Sequence, residues 1–156
     1  MTPAVQQLTK AKLPFQLLEY QSGTENYDFG RDSAEKLGLA EQTVFKTLVT
    51  CDANDHHKMV VAIIPVNKQL DLKALAKAAQ IKKLRMADIT MAERTTGYVK
   101  GGISPFGQKK TLVTYLDSSA AQLPTIVVSA GKRGLSLSLS ATILQRVLNA
   151  QLNKIT

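Results

Sequence analysis

A chain of 156 residues with 44% hydrophobic content is long enough to bury one proper core, and no linker, repeat or low-complexity tract divides it. A single cysteine excludes an internal disulfide framework, the longest apolar runs are strand-length, and the opening Met1-Thr2-Pro3-Ala4 does not read as a signal peptide, so a soluble cytoplasmic protein with no membrane association is expected. Twenty Lys and Arg against twelve Asp and Glu give +8, which favours a polyanionic partner held by its phosphates, although a merely well-solvated basic surface has the same composition.

In chain order, Thr2-Pro3 reads as an N-cap with proline at the first helical position, and the helix ends near Pro14. Phe15 to Tyr20 is strand-like and Gln21 to Phe29 a polar loop. Asp32 or Ser33 is expected to cap a short helix through Leu37, with Gly38 ending it. Val44 to Thr50 and Lys58 to Pro65 form a hairpin across a polar turn from Asp52 to His57. Asp71 caps the alanine-rich helix Leu72 to Ala79, the plainest helix in the chain. A short strand from Lys83 to Met86 and a helix from Ile89 to Thr95, closed by Gly97, come next. Lys110 to Leu116 and Thr125 to Ser129 are strand-like, with a helical turn capped by Asp117 between them. Leu135 to Leu139 alternates Leu and Ser as a half-buried strand, and Ala141 to Leu152 closes the chain as an amphipathic helix. The mixture lacks a regular βαβ alternation, so the expected class is α+β: a single domain with a mixed, barrel-like sheet surrounded by helices.

Few stretches carry chemistry. Gly101-Gly102-Ile103-Ser104-Pro105-Phe106-Gly107 holds three glycines and a proline in seven residues, too many for a helix. It is either a structural turn or a loop that turns backbone amides towards a carbonyl oxygen or phosphate. Lys46 shares its strand face with Val44 and Leu48, where it either snorkels at an edge or puts a fixed positive charge into a pocket. Ser129-Ala130-Gly131-Lys132-Arg133-Gly134 is either a phosphate-gripping turn or a basic surface turn. Both histidines, His56 and His57, fall in the hairpin turn, and Cys51 follows a strand with no base beside it, so no Ser-His-Asp or Cys-His set is assembled. Metal-ligand spacings and nucleotide fingerprints are absent, so neither a metal nor a cofactor is expected.

Taken together, Phe45-Lys46-Thr47-Leu48, then Gly97-Tyr98 and the glycine loop, then Ser129 to Leu135 resemble the YbaK/EbsC family of aminoacyl-tRNA deacylases, and most of all its stand-alone Cys-tRNA(Pro) deacylases. The resemblance runs over nearly the whole chain. It implies cleavage of the ester between an amino acid and the tRNA 3′ end, with prolyl-tRNA synthetase as the partner that selects the tRNA. The family's strand lysine falls on Lys46 and its glycine loop on Gly101 through Gly107. The implied catalytic groups are Lys46 and Gly101. The implied substrate-binding residues are Tyr20, Phe29, Thr47, Gly102, Ile103, Ser104, Pro105, Phe106, Gly107, Ser129 and Gly131; Lys100, Lys109, Lys110, Lys132 and Arg133 would meet the tRNA. In this family the thiol of the cysteinyl substrate attacks its own ester, which fits a chain without a nucleophile–base pair. Some members carry an aspartate where this chain has Ser136, so a carboxylate role is not implied there. Two other readings remain open at this point: a basic module that binds tRNA or a synthetase without catalysis, and an enzyme for another small ester with Lys46 as a neutral base.

Overall fold

The computed structural model describes residues 1–23 and 28–156. Thr2 caps α1 (Pro3–Lys10), its hydroxyl accepting from the Val5 N–H at 3.3 Å. After β1 (Gln16–Glu19) comes α2 (Phe29–Leu37), which Gly38 ends in the left-handed conformation. A 3-10 turn at Glu41–Thr43 leads into the hairpin of β2 (Phe45–Asp52) and β3 (Asp55–Pro65). Asp71 caps α3 (Leu72–Ala79) through the Ala74 N–H, and β4 (Leu84–Met86) and α4 (Ile89–Thr96) follow. Beyond the glycine loop lie β5 (Val113–Asp117), β6 (Ile126–Lys132), β7 (Leu135–Leu139), α5 (Ala141–Leu148) and β8 (Gln151–Asn153).

The strands form two open sheets, ordered β4-β2-β3-β5-β8 and β1-β7-β6. The first is mixed: β3 pairs antiparallel with β2 and parallel with β5, and β5 pairs parallel with β8. A bridge between Val44 and Val127 joins the two sheets. The main core lies between them, where Phe45, Val61 and Ile63 meet Ile126, Val128 and Leu137 under Leu8 of α1 and Leu144 of α5. On the other face of the larger sheet, Val60, Ala62 and Ile64 pack against Leu75 and Ala76 of α3.

The α+β class holds, but the mixed sheet is divided into two open ones rather than curled into a continuous barrel. Other boundaries differ for local reasons. Helix α2 starts at Phe29, because Asp28 and not Asp32 or Ser33 caps it, accepting from the Arg31 N–H at 3.2 Å. Asp32 instead points back and accepts from the Gly23 N–H at 3.0 Å. Of the expected Gln21 to Phe29 loop, residues 24–27 lie outside the described residues. His56 and His57 sit in the exposed start of β3 and not in the turn, which is tighter than expected. Strand β7 is buried along most of its length because both of its faces are covered. Helix α5 stops at Leu148, where Asn149 takes φ 51°, and β8 then pairs with β5. Leu144, Leu148 and Leu152 fall at helical spacing, and the pattern hides the break.

What positions the glycine loop is a set of bonds across its base. The Lys109 and Lys110 N–H groups bond to the carbonyls of Thr96 and Thr95, pinching the loop shut against the end of α4. Inside, the buried Tyr98 hydroxyl donates to the Phe106 carbonyl at 2.7 Å. Phe106 itself is fully buried in the main core. Truncation of such an aromatic typically costs roughly 3–5 kcal/mol, so the loop is anchored and not draped. The Gly107 N–H donates to Gln7 Oε1 at 2.6 Å, and the backbone there passes too close to Pro3 for any side chain.

Burial pushes the Tyr98 phenol up to about 12 from 10.0, opposed by a backbone hydrogen bond from Ala4. A phenol with a raised folded pKa keeps its full contribution below pH 10.0 and loses it as pH climbs through about 12. Comparing wild type with Y98F by urea unfolding, the wild-type advantage should shrink by roughly 2 kcal/mol between pH 9 and pH 12. A pH-independent gap would place the hydroxyl outside the anchor.

Candidate active site

β4 pairs with β2 only from Thr50 to Asp52, and the Ala87 N–H closes onto the Val49 carbonyl. Among the described residues, Phe45 to Leu48 are therefore left with a free edge. A cavity of about 570 Å³ lies along it. Its walls come from β2, the start of α2, the first turns of α4, the glycine loop, and the facing strands β6 and β7.

Lys46 lines this cavity and is partly buried. It does share a face with Leu48; their partners in β3 are Ile64 and Ala62. The cavity nevertheless meets residues of both faces, Phe45 and Thr47 as well as Lys46 and Leu48, because it looks at the strand edge-on. Thr47 Oγ1 is buried with no hydrogen-bond partner among the described residues, an acceptor and donor left over for a ligand. Tyr20, Phe29, Lys100, Gly101, Ile103 and Ser129 also line the cavity. So does Ser136, which stands directly across from Ser129 in the β6–β7 register.

The rest of the glycine loop does not reach it. Ser104, Pro105 and Phe106 turn inward, Ser104 Oγ accepting from the Phe106 N–H at 3.3 Å. Gly107 lies against α1, and a Cβ on Gly102 would stand 2.8 Å from the Lys132 Cα. The basic turn is a bulged hairpin end. β6 runs on to Lys132 through a register shift after Ser129, with Gly131 at φ 114° packed against Tyr98 and Thr2. Lys109, Lys110 and Lys132 are exposed outside the cavity. Arg133 is exposed too, with its guanidinium 3.9 Å from the centre of the Phe29 ring. The two glycine-containing motifs, some thirty residues apart in sequence, thus touch.

Other wall residues escaped the sequence reading. Ile89, Ala92 and Glu93 stand at i, i+3 and i+4 on α4, one helical stripe of which only Ala92 is buried, so its periodicity does not say that it faces a cavity. Glu93 accepts from the Lys100 N–H at 2.7 Å, fixing the loop where it enters the cavity. Asp28, Gly30 and Ser33 come from the first turns of α2, whose start lay earlier than its sequence showed.

The chemistry this allows is specific. Among the described residues the walls carry Lys46 and Lys100, the carboxylates of Asp28 and Glu93, and no cysteine or histidine. Cys51 is buried elsewhere, and burial pushes its thiol up, away from the thiolate. Among the described residues, the N–H groups of Gly101 and Ile103 make no hydrogen bond to another residue. A cation and free amides around one cavity suit an oxygen that gains negative charge during reaction.

Residues 25–147 match the aminoacyl-tRNA editing domain family. Over 155 residues the chain is 41% identical to EbsC of Enterococcus faecalis, described as a candidate Cys-tRNA(Pro)/Cys-tRNA(Cys) deacylase, covering 99% of this chain and 93% of that protein. Among solved structures, a hypothetical protein designated APE2540 superposes with a TM-score of 0.87 at 21% identity over 99% of both chains. A candidate trans-editing enzyme for prolyl-tRNA synthetase superposes with a TM-score of 0.84 at 19% identity, covering 100% of this chain and 98% of that one. At those identities the two structures speak for the fold.

Gly101 and Gly38 both hold positive φ, 87° and 67°, but only Gly101 is crowded: an added Cβ would stand 2.7 Å from Arg133 Nε and 2.8 Å from Phe29 Cδ2. G38A should cost about 1 kcal/mol for its backbone conformation alone, and G101A roughly 2–3 kcal/mol in thermal unfolding. Equal losses would mean that the Phe29 and Arg133 side chains simply move aside.

Proposed function

The chain belongs to the YbaK/EbsC aminoacyl-tRNA editing domain family, and on that footing we propose that it acts in trans to release cysteine from mischarged Cys-tRNA(Pro). It is an aminoacyl-tRNA deacylase. The observation that carries the finer reading is the content of the cavity: Lys46, Gly101 and Ile103 line it together, with no cysteine or histidine beside them. Such a site has means to hold and stabilise, and no evident nucleophile–base pair of its own.

The substrate then supplies the nucleophile. The cysteinyl Sγ attacks the carbonyl carbon of its own ester, and the carbonyl oxygen takes the negative charge. Collapse breaks the bond to the ribose oxygen, which takes up the proton lost from the thiol; a cyclic thiolactone leaves and opens in water to cysteine. Lys46 and the amides at Gly101 and Ile103 stabilise the oxyanion. Ser129 uses its Oγ to accept from the Gly131 N–H at 3.1 Å, which leaves its hydroxyl hydrogen for the substrate or ribose. Thr47 Oγ1 and the walls at Tyr20 and Phe29 orient the acyl end, and orientation is what an intramolecular attack most needs.

This division of labour also accounts for selectivity. A small pocket separates side chains differing by one methylene by only about 1–3 kcal/mol, whereas a reaction that needs the thiol rejects alanine outright. The tRNA itself is met by phosphate contacts from Lys100, Lys109, Lys110 and Lys132. With aromatics at 5% of the chain, little base reading is expected, and prolyl-tRNA synthetase in the cytoplasm is the partner that would supply the tRNA's identity. Among the described residues no helix is long and apolar enough to cross a membrane.

Release from Cys-tRNA(Pro) should exceed release from Ala-tRNA(Pro) by several orders of magnitude, and K46A should lower the cysteine rate about 10²–10³-fold while tRNA binding is largely kept. Equal rates on the two substrates would rule out thiol assistance. Binding without turnover in the wild type would leave a tRNA-binding module.

A further inference from the structure

Arg133 stands beside Lys132 in the basic hairpin end, where charge alone would assign it to phosphate. Its geometry is different. The guanidinium carbon lies 3.9 Å from the centre of the Phe29 ring, and Arg133 Nε and Phe29 Cδ2 both come within 3 Å of where a Cβ on Gly101 would be. Three groups from three elements, the hairpin end, the first turn of α2 and the glycine loop, are in mutual contact. Phe29 and Gly101 line the cavity; Arg133 does not.

The backbone is built to place Arg133 there. The register shift between Ser129 and Lys132 bends the end of β6, as bulges do when they re-aim a side chain. Gly102 lets that bent backbone lie directly on the loop, since a Cβ would meet Lys132 backbone atoms at 2.8 to 3.2 Å. Phe29 has no polar atom with which to fix its ring, and a helix holds only its backbone. A planar cation against the ring face supplies the missing restraint, which lysine at the same position would not reproduce.

We propose that Arg133 is a positioning residue: it holds the Phe29 ring against Gly101 and so sets the width of the cavity where the loop amides meet the acyl group. The inference rests on the deacylase reading, because the group being positioned is the wall beside the reacting ester.

The test uses the full chain with R133A, R133K, F29L and the double variant R133A/F29L. In wild-type protein the Arg133 Hδ and Hε resonances should be shifted upfield by the ring current of Phe29 and return to ordinary positions in F29L. Unshifted resonances would overturn the contact, whatever the enzyme does. On Cys-tRNA(Pro), R133A and R133K should both lower kcat roughly tenfold or more with KM and its salt dependence kept, and the double variant should be no slower than F29L. Wild-type kcat in R133K, or a KM effect in R133A with the salt slope reduced by about one, would make Arg133 a phosphate contact and overturn the proposal. A wild type that shows the ring-current shift yet releases no cysteine would sink the deacylase reading, and the positioning role with it, while the contact itself stood.

Discussion

The backbone of Gly102 lies directly against the backbone of Lys132, with no room between them for a single carbon. That close approach is the constraint from which the cavity follows. It brings the glycine loop onto the end of the β6–β7 hairpin, and so sets Gly101 beside Phe29 and Arg133. The loop is held from its other side by Tyr98, Phe106 and Gln7, through bonds that reach α1 and the main core. A loop tied at its base, its middle and its tip keeps its shape without help from a ligand.

The second ingredient is an unfinished sheet. By stopping short along β2, β4 leaves the stretch around Lys46 as an open edge, and an open edge normally invites pairing with another chain. Here it is walled in by α2, α4 and the loop, and its polar groups face a cavity. The walls otherwise carry hydroxyls, two carboxylates and apolar side chains, with no cysteine or histidine among the described residues.

Much of this was readable from residue types. The hairpin strands, the α3 cap at Asp71 and the stop signals at Gly38 and Gly97 are local events, dictated by side chains within a few positions of one another. Lys46 stood out because an ammonium in an apolar run is costly unless the fold gives it a use. The resemblance to a deacylase family was carried by the same strand, the same loop and the same basic turn. One error is a local signal overruled from a distance: β8 looked helical because Leu144, Leu148 and Leu152 keep helical spacing, until pairing with β5 drew the chain straight.

Sequence by itself determined that this chain folds as α+β, which stretches bend and which stiffen, and that it carries a lysine-bearing strand and a glycine loop. Tertiary structure alone decided how the loop divides its labour: Gly101 and Ile103 at the cavity, Ser104 to Gly107 in the anchor, and the exposed Arg133 laid across an aromatic ring. The physical reason is range. Conformational preference acts over a few bonds, whereas which face of a loop meets a cavity depends on how closely two backbones distant in sequence can approach, and a string of residues does not carry that distance.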